Sequence, residues 1–171
     1  MTTSGVREAL ENIARVINEQ PEKARARSAP AVARLEQRLR VLVTGPSGES
    51  LHTDMPPALG GGATAPRPGW LFRAALASCT TTVIAMRAAR LGVNLRLLEV
   101  TVDGESDNRG LLGLDDRVSA GMSAMRARVK LAADGVSPER LRELAAWGEA
   151  HSPVGCTVRN PLDFAVEVEI A

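Results

Sequence analysis

Residues 68–92 read PGWLFRAALASCTTTVIAMRAARLG, and between Arg73 and Arg87 the run carries no charge. Its ends are marked. Proline suits the first helical position, where its missing N–H would have no partner, and glycine takes the left-handed conformation that closes a helix. The spacing therefore predicts a helix over about 68–91, capped by Gly92. A helix that is apolar or small on every side is a buried one, so Cys79 is expected inside the protein. The stretch before it, PPALGGGATAPRPG (56–69), is rich in Pro and Gly and reads as a loop.

Working outward, residues 4–20 repeat apolar side chains at Val6, Leu10, Ile13, Val16 and Ile17. This is the period of an amphipathic helix, with Ser4 as cap and Pro21 as stop. Residues 24–43 are strand-like, and TGPSGES (44–50) before LHTDM reads as a hairpin turn. A phosphate loop is the weaker reading of that Gly-Ser turn, because the lysine of the motif is missing. On the C-terminal side, Leu98, Val100 and Val102 alternate with Glu99, Thr101 and Asp103, and Ala127, Val129 and Leu131 alternate with Arg126, Arg128 and Lys130. Both runs predict half-buried strands. Ser137-Pro138 opens another helix with Leu141, Leu144 and Ala145 inward, and Phe164, Val166, Val168 and Ile170 predict a last strand with Glu167 and Glu169 outward. The basic face of one strand and an acidic face of another are either cross-strand neighbours or simply solvated. Helix, strands, buried helix, two strands, helices, strand is an α+β order with antiparallel sheet.

Composition narrows the function classes. The 171 residues are 44% apolar, enough for one domain with a core, but only 2% aromatic, and the formal net charge is +1. A nucleic-acid binder normally shows a basic surplus and stacking aromatics, so nucleic acid is not an expected partner. No apolar run is read as a membrane span and the start lacks a signal-peptide pattern, so the chain is expected to be cytoplasmic and not membrane-bound. In that compartment the two cysteines, Cys79 and Cys156, are expected to be reduced, and any disulfide between them transient. Their separation lacks the paired spacing of a zinc site, and no metal or cofactor is expected. His151 beside Ser152, near Cys156, is weighed as a Cys–His pair against a capping or solvent-exposed role, which is the commoner one. His52 has no evident partner.

Three blocks, residues 65–93, 100–131 and 141–158, in this order resemble the OsmC/Ohr family of osmotically inducible and organic-hydroperoxide-resistance proteins. They hold a small-residue helix with one Cys, a strand ending in Asp-Gly with an Arg-Gly loop, and a Pro-started helix near the end. The resemblance covers about residues 35–170. Residues 1–22 look like a helical extension to a single OsmC-like domain of residues 23–171. The resemblance implies an antiparallel sheet wrapped around buried central helices in an intertwined homodimer. It also implies a thiol peroxidase of oxidative-stress defence, in which Cys79 attacks a hydroperoxide and an external thiol or dithiol resets it. The alternative is a noncatalytic dimer that binds a small apolar ligand in the interface pocket.

Where the family's peroxidases carry a second cysteine before proline, this chain has Ser152-Pro153. Serine forms no disulfide, and Ser before Pro is a good helix cap. Ser152 is thus a candidate binding residue and Cys156, one helical turn or about 6 Å further on, a candidate displaced resolving thiol. A disulfide needs Cα atoms roughly 4.4 to 6.8 Å apart, which makes that displacement matter. The catalytic Glu of the family falls at or near Gly69, which has no carboxylate. The catalytic Arg is sought among Arg25, Arg27, Arg34, Arg38 and Arg40.

Overall fold

A computed structural model describes residues 3–160 and 162–170. The chain divides into two compact units, Glu8–Ala75 and Met1–Arg7 with Leu76–Ala171.

The helical period of the N-terminus forms α1, Thr3–Glu19, and Pro21 ends it by opening a short 3₁₀ turn, Pro21–Ala24. In the unit of residues 8–75 a three-stranded antiparallel sheet follows, β1 (Val32–Gln37), β2 (Arg40–Thr44) and β3 (Ser50–Thr53), in that spatial order. The segment TGPSGES is the β2–β3 hairpin, with Gly45 N–H donating to the Glu49 carbonyl at 2.8 Å, so no phosphate loop is formed. The β1–β2 hairpin was not legible in the sequence, because its turn places Arg38 at φ 51°, a left-handed conformation that arginine does not advertise. His52, on β3, has a partner after all: Nε2 lies 3.3 Å from Glu36 Oε2.

The marked run forms α2, Pro68–Arg90. Its end is a Schellman cap. Gly92 adopts φ 68°, its N–H donates to the Ala89 carbonyl, and Val93 N–H donates back to the Ala88 carbonyl at 2.9 Å. By length and composition α2 is apolar enough to cross a membrane, which the sequence reading had not allowed for; core helices pass the same test. The expectation that α2 is buried on every side needs correction. Thr80, Ile84, Ala88 and Ala89 are buried, a stripe at helical spacing, whereas Trp70 is 50% exposed and Cys79 only half-buried. Small residues permit burial on every side, but among the described residues of α2 only this stripe is buried.

In the unit containing residues 76–171, β4 (Leu95–Ser106) and β5 (Met122–Ala133) pair antiparallel, joined through a short helix α3 (Asn108–Leu111). The register sets Leu98 opposite Leu131 and Val100 opposite Val129, so one face of the ribbon packs against Ile84, Ala88 and Leu144. On the other face Glu99 stands opposite Lys130 and Asp103 opposite Arg126, with Arg128 bridging to Asp103 at 2.5 Å. The basic and acidic faces are cross-strand neighbours as well as solvated. α4 (Pro138–Ala150), capped by Ser137, turns Leu144 and Gly148 inward. α5 (Pro153–Arg159) follows after one junction.

The last strand is not formed. Residues 162–170 join neither sheet, and Phe164 and Ile170 are 88% and 87% exposed. Alternation prepares a segment for pairing, but a strand needs a ladder to join, and among the described residues this one joins none.

Candidate functional site around Cys79

Three contacts fix the helix that carries Cys79. Ile84 packs on Gly148 so closely that a Cβ at Gly148 would lie 2.3 Å from Ile84 Cγ1. One turn toward the C-terminus, the Arg87 guanidinium stands 4.5 Å above the Trp147 ring. One turn the other way, Thr80 Oγ1 donates to Ser152 Oγ at 3.3 Å. Residues 80, 84 and 87 therefore run antiparallel to 152, 148 and 147. Cys79, one residue from Thr80, is rotated about 100° away from this seam.

Ser152 is fully buried and does two things. Its hydroxyl accepts from Gly155 N–H, capping α5, and also receives the Thr80 hydroxyl. Ser152 is thus the residue by which α5 grips the cysteine helix. Cys156 lies one turn further on, its N–H bonded to the Ser152 carbonyl at 2.8 Å. Its sulfur turns to the Ala150 carbonyl, 3.2 Å away, and to Arg159 Nη2 at 3.5 Å. Both thiols are free. No arginine or carboxylate among the described residues hydrogen-bonds the Cys79 sulfur.

His151 is the C-cap of α4. Its ring stacks on Trp147 at 3.9 Å, and Nδ1 lies 2.7 Å from the Trp147 carbonyl, so its contacts are with α4 rather than with a thiol. Among the described residues no cluster of metal-ligating side chains occurs.

The unit of residues 8–75 holds a second constellation, centred on a residue that the sequence reading passed over. Asp54 follows β3 and is buried. Its carboxylate accepts from the N–H groups of Met55 (2.7 Å), Gly62 (3.1 Å) and Thr64 (3.0 Å) and from Thr64 Oγ1 (2.8 Å). These bonds, the Thr64 amide foremost and against the opposing pull of burial, hold its carboxyl at about 2. The loop closes so tightly that a Cβ at Gly61 would lie 1.9 Å from the Met55 carbonyl, which excludes any other residue. Arg40 extends the network, donating from Nη1 to Thr64 Oγ1 at 2.6 Å. Of the five candidate arginines Arg40 is the one that hydrogen-bonds this loop, while Arg38 lines a shared cavity with Arg40, Asp54, Gly62 and Thr64. Arg25, Arg27 and Arg34 are exposed, and Arg38 sits in the hairpin turn. The sequence signal was an aspartate between a strand and a Gly-rich loop, the usual anchor of such a turn. Gly69 lies in the first turn of α2, with Arg73 Nη1 3.9 Å from where a Cβ would be.

A long cysteine-bearing helix, packed on an antiparallel two-stranded ribbon and gripped by a serine-capped helix, defines an α+β protein with a free thiol beside a helix start. The chain belongs to the OsmC-like protein family, whose model matches residues 60–167. No curated protein matches the sequence. Among solved structures, the chain is similar to an OsmC-like protein from Mycoplasma pneumoniae, at 13% identity and TM-score 0.67 over 79% of this chain and 89% of that one. It is also similar to an organic hydroperoxide resistance protein, OsmC, from Legionella pneumophila, at 20% identity and TM-score 0.55 over 79% and 91%. A third is the organic hydroperoxide resistance protein OhrB of Bacillus subtilis, at 19% identity and TM-score 0.52 over 78% and 91%. These likenesses establish the fold.

Proposed function

We propose that the chain is a one-cysteine thiol peroxidase that reduces hydroperoxides through Cys79 and is reset by an external thiol. The observation that carries this reading is a half-buried, free Cys79 beside the Thr80–Ser152 contact, with serine where a second thiol would resolve it. In the first step the Cys79 thiolate attacks one peroxide oxygen, the O–O bond breaks, and Cys79 becomes a sulfenic acid while the other oxygen leaves as the alcohol after taking a proton. An external thiol then forms a mixed disulfide with Cys79 and releases water. A second thiol returns the Cys79 thiol and leaves as the small-molecule disulfide. The direction of the Cys156 sulfur, toward Ala150 and Arg159, supports the external route over an internal one.

The assay is hydroperoxide consumption with a dithiol donor. Wild type and Cys156→Ser should turn over alike and Cys79→Ser should not. Equal rates in wild type and Cys79→Ser, or no turnover in any of the three, would refute the reading. The second reading is a noncatalytic member that binds a small apolar ligand. It is favoured by the lack, among the described residues, of an arginine or carboxylate bonded to Cys79 and by glycine at position 69.

The working form we propose is a cytoplasmic homodimer, with residues 1–22 as an addition to the domain of residues 23–171. The exposed alternating segment 162–170, with Leu162, Val166 and Val168 also outward, supports the dimer, because such a segment gains most by pairing with a second copy.

A further inference from the structure

Beside the Asp54 loop, within the unit of residues 8–75, lies an open groove of about 570 Å³. Its apolar wall is Trp70, Met55 and Ala65, and its charged lining is Arg67, Arg73 and Asp54. The charges do not cancel. Asp54 spends its carboxylate on three amides and a hydroxyl of its own loop, whereas Arg67 and Arg73 form no ion pair among the described residues. Elsewhere on the chain Arg109 pairs with Asp107 and Arg117 with Asp115. Position 69, between the two, is glycine and puts no side chain over Arg73. The groove also opens at the start of the 23-residue helix α2, whose dipole adds positive potential there. Two uncompensated guanidinium groups beside an exposed indole combine an anion hook with a flat apolar surface.

We propose that this groove binds a small organic carboxylate with an apolar body, its carboxylate held by Arg67 and Arg73 and its body laid on Trp70. Arginine is suited to the head, since its fork accepts a carboxylate in two parallel bonds. The volume is in the range of small-ligand sites, large enough for a medium-chain or single-ring acid. A neutral molecule of the same shape would gain only the apolar contact, and a cation would be repelled. Its occupancy is measured without turnover and its lining holds no thiol, so its failure and that of the peroxidase reading are distinguishable.

The test is calorimetric titration of the full chain, in low salt, with octanoate, octanol and octylamine as probes. Octanoate should bind at least about tenfold more tightly than octanol, which corresponds to about 1.4 kcal/mol, and octylamine should not bind. Arg67→Gln and Arg73→Gln should each weaken octanoate several-fold and leave octanol unchanged, while Arg87→Gln, altered fourteen residues further along α2 at Trp147, should bind octanoate like wild type. Circular dichroism checks that each variant is folded. Octanoate and octanol of equal affinity, no octanoate binding at low-millimolar concentration, or full octanoate affinity in both folded variants would overturn the proposal.

Discussion

Replacing Ser152 by alanine removes two hydrogen bonds at once, and the two losses are of different kinds. The first is the cap. Gly155 N–H loses the acceptor that closes the start of α5, a loss typically worth about 1 kcal/mol. The second is desolvation. Thr80 is buried, and its hydroxyl, which donates to Ser152 Oγ, is left without that acceptor, at a cost of about 1–3 kcal/mol. Together Ser152→Ala should lose about 2–4 kcal/mol. For a chain of this size that lowers Tm by roughly 5–15 °C. Urea unfolding followed by circular dichroism measures it, and a double-mutant cycle with Thr80→Val apportions it. The double variant has no stranded Thr80 hydroxyl, so it should be more stable than the sum of the single changes predicts by about 0.5–2 kcal/mol. A loss below about 0.5 kcal/mol for Ser152→Ala, or strict additivity in the cycle, would refute the claim that Ser152 ties α5 to the cysteine helix.

Other consequences follow from the same contacts. Gly148→Ala should destabilise by about 1–3 kcal/mol in urea melts although alanine is the better helix former by about 1 kcal/mol, because its Cβ meets Ile84 Cγ1 at 2.3 Å and Ile84 Cα at 3.0 Å; a gain in stability would mean that the helices separate freely. Asp54 has a folded-state pKa of about 2, below the ordinary 3.8, so its contribution to stability is present above the unfolded value and is lost as pH falls from about 4 through about 2. Asp54→Asn should therefore be the less stable protein at neutral pH, and the gap to wild type should close over that window in denaturant titrations at stepped pH. A constant gap would show that the carboxylate's charge plays no part. Gly61→Ala, which would set a Cβ 1.9 Å from the Met55 carbonyl, should open the Asp54 loop and raise hydrogen exchange at the Gly62 and Thr64 amides; unchanged protection there would contradict the loop's tightness.

Where local chemistry decides the outcome, the sequence was readable. Pro68 and Gly92 bounded α2, the alternation of Leu98 to Val102 and Ala127 to Leu131 gave the β4–β5 ribbon, and Ser137 and Ser152 capped the helices assigned to them. What could not be read depended on distant partners. The Asp54 network joins β3, a Gly-rich loop and Arg40, and only Asp54's place before a loop hinted at it. Cys79 was expected inside because its helix lacks charge, yet burial of a helix face is decided by what lies against it, and the buried face is the Thr80 stripe. The Thr80–Ser152 bond was likewise invisible: the serine announced a cap, and nothing in its spacing announced a second hydroxyl 72 residues away.

The tail of residues 162–170 has a thermodynamic consequence of its own. Its apolar side chains and ladder groups find no strand partner among the described residues. A partner strand would have to come from another molecule, and the free energy released on pairing would then depend on how much of that molecule is present. Folding stability would in that case cease to be a fixed property of the sequence and become a mass-action quantity, with a melting temperature that climbs as the protein is concentrated.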